Sequence, residues 1–233
     1  MLPGMILSGD IGGTKAELAL FERNHGSLRE VRSERLLTDG HGSLEELLAQ
    51  FLKLNAVIHS AGIQREDDVG GTVDDELLTA TFATNLMAPI RLNSALVAHF
   101  RQLPSATIVN ISSMLGFVPL ANVALYCAAK AALHSYTLSQ RYQLRDTSVK
   151  VLEIIPPYVQ TALMDMNLHD PRARPLGQFI AETLEALATD EVEVLVPRAR
   201  ERRDALRPGE VEATKKFNDF FMAGTYVNYG QAA

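Results

Sequence analysis

Apolar positions fall along the chain in two rhythms. Short apolar runs at residues 5–9, 16–21, 28–37, 54–59, 106–112, 149–155 and 192–197 read as strands. Helical spacing covers residues 74–100, 122–144 and 178–187, with a charged helix at 210–221. A capping box from Ser43 to Glu46 opens one more helix, with Leu44, Leu47, Leu48, Phe51 and Leu52 on one side. Residues 106–112 and 149–155 are apolar on both faces, as strands of a buried parallel sheet are. From residue 54 onward strands and helices alternate, whereas the first three strands follow one another as an expected antiparallel meander. The pattern predicts an α/β fold.

Composition narrows the class. A chain of 233 residues with 47% hydrophobic content is long enough to bury a full core as one domain. A net charge of −6 without a basic run argues against nucleic acid or an acidic membrane surface as the main partner. One cysteine, Cys127, excludes an internal disulfide, and it reads as a small buried filler. No stretch reaches eighteen apolar residues and the start lacks a signal-peptide pattern, so the expected location is the cytoplasm. His134 and His169 have no ligand-spaced partners, so no metal site is expected.

The chemistry lies in ISSMLGFVPLANVALYCAAK, where Tyr126 stands thirteen positions after Ser113 and Lys130 four positions after Tyr126. On a helix the interval of four puts phenol and ammonium on one face, so a fixed positive charge would favour phenolate. A free phenol titrates near ~10, too high for efficient proton transfer at neutral pH, and a neighbouring lysine is one remedy. The Ser113 hydroxyl, after an apolar strand, is suited to hold a carbonyl or alcohol oxygen. The reading is carbonyl/alcohol redox chemistry.

Together with LNAVIHSAGIQ, TNLMAPIRL and VLEIIPPYVQT, in that order around the catalytic run, this sequence resembles the short-chain dehydrogenase/reductases from about residue 54 to about 222. Within that family it looks most like the branch that includes a protein of the D-alanine transfer operon. The resemblance implies a Rossmann-like three-layer sandwich and NAD or NADP as cofactor. It makes Ser113, Tyr126, Lys130 and Asn85 catalytic, Asn85 by holding a helix kink and a proton-relay water. Ala61, Gly62, Val159 and Thr161, with Tyr126 and Lys130, would hold the cofactor. It also implies a small-molecule carbonyl or alcohol substrate, a substrate lid at 165–175, and a dimer or tetramer built on the helices at 74–100 and 122–144. His59 and Ser60 replace two asparagines of the family pattern, an exchange expected to weaken the bracing of the sheet, and Pro157 replaces a glycine.

The start departs from that family. In place of a glycine-rich loop and helix, MILSGDIGGTKAELALFE resembles the opening of a bacterial glucokinase, and residues 1–52 read as a glucokinase-like segment joined to a catalytic portion, 53–233, within one domain. Gly12 and Gly13 then become candidate phosphate-side residues. The meander would replace the first βαβ units, and the missing helix N-terminus predicts weak dinucleotide binding. Three functions therefore compete: an oxidoreductase, a catalytically silent fusion or chimera with impaired cofactor binding, and, behind them, a sugar kinase fragment.

Overall fold

The computed structural model describes residues 5–11, 15–24, 27–37, 54–164, 168–206, 208–209, 212, 215–216 and 219, the first three stretches as strand backbone. Seven strands form one sheet: β1 (Met5–Ile11), β2 (Lys15–Asn24), β3 (Ser27–Leu37), β4 (Leu54–His59), β5 (Ala106–Ile111), β6 (Val149–Ile154) and β7 (Glu193–Val194), in the order β3-β2-β1-β4-β5-β6-β7. From β4 to β7 every neighbour is parallel, with Val57 beside Ile108 and Ala106 beside Val149. The capping box at Ser43 and the Gly12–Gly13 turn lie outside the described residues, as does most of the helix expected at 210–221.

Helices α1 (Asp75–Phe82) and α2 (Ala88–Phe100) continue one another through a π-helical turn, Ala83–Met87. Asp74 opens α1 by accepting from the Leu77 amide at 3.0 Å. The π turn has a local cause. Pro89 has no N–H to return to the carbonyl four residues back, and the Ala88 amide bonds Ala83, five back. The single helix predicted at 74–100 thus carries a widened turn with Asn85 inside it.

Helix α3 (Ala124–Leu144) is rich in alanine and long side chains, α4 (Leu176–Leu187) follows Pro175, and α5 (Pro197–Leu206) begins at a proline. The sequence reading missed α5. It extended the last strand to residue 197, but that strand ends at Val194, and proline suits the first turn of a helix better than a ladder.

Helices α2 and α3 cover one face of the sheet. Near the strands' amino ends the contact is apolar: Val57, Ile108 and Val151 pack with Leu96, Phe100 and Leu144. Near the carboxyl ends it is polar. His59 Nε2 lies 2.7 Å from Asn93 Oδ1, Asn93 donates to Asn110, and Asn110 donates to Thr137 Oγ1 and Gln140 Oε1 at 2.9 and 3.1 Å. Burial holds the His59 imidazole below its ordinary pKa, the Asn93 contact opposing. The weakened bracing expected from His59 is therefore corrected, because the imidazole reaches across to α2 and keeps the sheet tied. On the opposite face Val109, Leu152, Ile154 and Val194 meet Phe179, Ala186 and Leu187 of α4.

Candidate active site

The carboxyl ends of β4, β5 and β6 open on a cleft of about 1120 Å³ lined by Gly62, Ser113, Tyr126, Lys130, Val159 and Thr161, among others. Ser113 follows β5 and starts a 3₁₀ turn, Met114–Gly116, accepting from the Leu115 amide at 3.1 Å and so keeping its own proton for another partner. Tyr126 and Lys130 stand one turn apart on α3, and all three side chains are buried.

Two features fix the position of α3. No side chain just before the helix caps it; instead Asp67, from the segment after β4, accepts from the Ala124 and Leu125 amides at 3.1 and 2.9 Å. Gly116 lets the 3₁₀ turn touch the helix backbone, since a Cβ there would sit 3.0 Å from the Ala131 nitrogen and from the Lys130 carbonyl carbon.

Asn85 is buried behind the cleft. Its Oδ1 accepts from the Ile63 amide at 2.9 Å and its Nδ2 donates to the Ile63 carbonyl at 2.8 Å, so the π turn clamps the chain leaving β4. A Cβ on Gly62 would lie 3.3 Å from Asn85 Oδ1 and 3.9 Å from Lys130 Nζ. Ala61 is half-buried beside it.

The electrostatics correct one expectation. Burial pushes the Tyr126 phenol up to about 12, the Ser113 hydroxyl opposing and Cys127 adding to the rise. Burial likewise lowers Lys130 to about 8, with Glu153 opposing. The ammonium lies 5.7 Å from the centroid of the phenol ring and donates to the Ile111 carbonyl at 2.7 Å. The phenol lowered by lysine that the interval of four suggests is not found: burial dominates, and the group that opposes it is the Ser113 hydroxyl. Burial holds the Tyr126 phenol in its neutral form.

Comparison with known proteins decides the family. A short chain dehydrogenase family model matches residues 40–172, more than half of the chain. The chain belongs to the short-chain dehydrogenase family. It is 35% identical over 168 residues to the uncharacterized oxidoreductase DltE of Bacillus subtilis, a match that covers 70% of this chain and 67% of DltE. It is 31% identical over 130 residues to the L-xylulose reductase of Caenorhabditis elegans, covering 55% of this chain and 51% of that enzyme. The chain thus spans between about half and two thirds of these relatives. Among solved structures, a short-chain dehydrogenase from Burkholderia cenocepacia in complex with NADP superposes with a TM-score of 0.62 at 22% identity, covering 73% of this chain and 72% of that one. The parallel α/β sheet is therefore a Rossmann-like fold.

Within this short-chain dehydrogenase fold, the sequence reading passed over several buried polar groups. Ser112 Oγ donates to Glu153 Oε1 at 2.5 Å, and His134 Nδ1 lies 3.0 and 2.9 Å from the two oxygens of that carboxylate. Two signals were available: an acid inside the apolar run VLEII, and a histidine one turn beyond Lys130. The expectation that His134 lacks partners is corrected, since ligand atoms of His134, Glu153 and Glu193 come within 4.8 Å of one another. Strands β6 and β7 supply them across the sheet, out of reach of sequence spacing. Protein donors already engage both acids, Ser112 on Glu153 and Arg203 on Glu193 at 2.9 Å. Cys127 is buried against Leu120, and burial pushes its thiol up, away from the reactive thiolate.

The expected lid is described from residue 168 onward, and Pro171, Arg172, Ala173, Arg174 and Pro175 line the same cleft as Tyr126. Its second half is fastened: the Arg174 amide donates to the Tyr158 carbonyl at 2.8 Å, and the Gln160 amide donates to the Arg174 carbonyl at 2.9 Å. Among the described residues, no helix is long and apolar enough to cross a membrane.

Proposed function

We propose that the chain is an oxidoreductase that interconverts a carbonyl and an alcohol with NAD or NADP, working through Ser113, Tyr126 and Lys130. The observation that carries this reading is the meeting of those three buried side chains in one cleft. The cleft suits a nicotinamide end. Gly62 leaves its wall without a Cβ beside Lys130, and Val159 and Thr161 also line the cleft. Val159 and Thr161 would meet the carboxamide, Ala61 and Gly62 would let the cofactor approach the backbone closely, and Lys130, beside Tyr126, would hold the ribose. When bound, the reduced cofactor supplies hydride to the carbonyl carbon and leaves as NAD(P)⁺. The protein's part is to hold the carbonyl oxygen on the Ser113 hydroxyl and to give it the Tyr126 proton. Asn85 fixes the Ile63 backbone and keeps the Gly62 wall in register. Relatives named as an oxidoreductase and as a reductase support the same chemistry, and several fold neighbours carry NADP, NADPH or NAD.

An antiparallel meander stands in for the first βαβ units, a reading supported by the antiparallel registers Leu7 with Leu20 and Leu18 with Glu34, and by the parallel partnering of Met5 with Leu54. The sequence there has no glycine-rich loop leading into a helix, and Gly12 and Gly13 are the phosphate-side candidates in its place, so dinucleotide binds weakly. That weakness is the basis of the second reading, a catalytically silent chain. Titration of NADH and NADPH by fluorescence tests both. The proposal expects saturation well above the micromolar range. Micromolar binding overturns the account of the N-terminus, and no binding at millimolar cofactor favours the silent chain.

A further inference from the structure

The carboxylate of Glu153 lies near the carboxyl end of β6 with none of its surface exposed, an unfavourable place for an acid. It is held by Ser112 and His134, as described above. Those holders have informative neighbours. Ile111, the residue before Ser112, accepts from the Lys130 ammonium through its carbonyl at 2.7 Å, and His134 follows Lys130 by one turn of α3. The amine of the active site and the buried acid behind it are thus anchored to consecutive residues, Ile111 at the end of β5 and Ser112 just after it, and to consecutive turns of one helix.

We propose that Glu153 is the counter-charge of Lys130: a positioning residue that keeps the buried amine protonated behind Tyr126. A lysine with 5% of its surface exposed loses most of the hydration that stabilises its charge, which is why its pKa falls. An acid across a medium of low dielectric restores part of the loss. The other charged and titratable groups around the pair are Tyr126, His134 and Arg141 from α3, Glu193 from β7 and Arg203 from α5. Glu193 is paired with Arg203, and Arg141, which donates to the carbonyls of Val151 and Val192, also feels the charges of Glu153 and Glu193. The inference rests on the oxidoreductase reading only for the use made of the Lys130 charge. The placement of the acid behind the amine stands on their adjoining anchors, Ile111 with Ser112 and Lys130 with His134.

Linkage fixes how the pairing should show itself. Lys130 titrates near 8 when folded and at its ordinary 10.5 when unfolded. The folded chain therefore binds fewer protons across that window. Its stability is penalised below about pH 8 and recovers as pH rises towards 10.5. Removing the acid deepens the penalty only where Lys130 is charged.

The experiment is a double-mutant cycle by urea unfolding on the full chain, with wild type, Glu153→Gln, Lys130→Met and the double variant. At pH 7.5, Glu153→Gln should lower the folding equilibrium constant at least about tenfold more in the wild-type background than in the Lys130→Met background. That excess should shrink as pH is raised to 10.5. If Glu153→Gln alone does not fold, the double variant must. Equal losses in both backgrounds, or a double variant that also fails to fold, overturn the proposal and leave Glu153 as a brace for Ser112 and His134. In turnover, Glu153→Gln should move the alkaline fall of activity to lower pH, and an unmoved limb counts against the counter-charge. The unfolding cycle needs neither cofactor nor substrate. A chain that does not bind NAD(P) therefore leaves the role assigned to Glu153 intact, and an additive cycle leaves the oxidoreductase reading untouched.

Discussion

The contact between the sheet and helices α2 and α3 is made of two different materials along its length. At the amino ends of the strands, Phe100, Ile108, Leu54 and Val149 form a close-packed apolar block. At the carboxyl ends, His59, Asn110, Ser112 and Glu153 face Asn93, Thr137, Gln140 and His134 through hydrogen bonds. Apolar packing is non-directional and supplies stability. A satisfied polar seam specifies distances and angles, and it lies where Tyr126 and Lys130 have to be fixed. The two ends should therefore fail differently.

The largest effect belongs to the site end. Tyr126→Phe removes the proton donor and should lower carbonyl reduction by about 100-fold to 10,000-fold, with an unchanged urea midpoint. Full retained turnover would sink the mechanism. At the apolar end, Phe100→Ala should cost about 3–5 kcal/mol of stability, while activity per folded molecule stays near wild type. Turnover lost in proportion to Tyr126→Phe would erase the division of labour. Gly116→Ala probes the junction, because its Cβ would press on the Lys130 and Ala131 backbone. It should cost about 1–3 kcal/mol and also lower turnover through displacement of α3, and neutrality in both assays would contradict the close approach. The smallest effect is one of pH. With Tyr126 near 12 and Lys130 near 8, the phenol stays protonated across the neutral range while the lysine loses its charge as pH rises through 8. Reductive turnover should fall severalfold on that limb, and a flat profile from pH 7 to 9 would count against a role for the ammonium.

The same contrast explains what the sequence made legible. Helix α3 and strands β4, β5 and β6 could be read because apolar periodicity and alanine-rich spacing act locally, and the intervals of thirteen and four pointed to Ser113, Tyr126 and Lys130, which line one cleft. The phenol's pKa could not be read, since it depends on burial created by the whole fold. Asp67 was missed for a related reason: it caps a helix from 57 residues away, and no local capping pattern signals that. The π turn had a local cause in Pro89, whereas its use, the double clamp of Asn85 on Ile63, appears only once the turn and the chain leaving β4 are side by side. Glu153 and Glu193 meet His134 only across the sheet.

The central claim is that this cleft moves hydride and proton between a cofactor and a carbonyl. The most direct measurement is transfer of deuterium from 4-deuterated NADH or NADPH, at millimolar cofactor, into the alcohol formed from a panel of ketones and aldehydes, read by mass spectrometry for wild type and Tyr126→Phe. The account predicts labelled alcohol from the wild type and almost none from the variant. Unlabelled product, equal labelling by both proteins, or no product from wild type shown by fluorescence to be saturated with cofactor would contradict it.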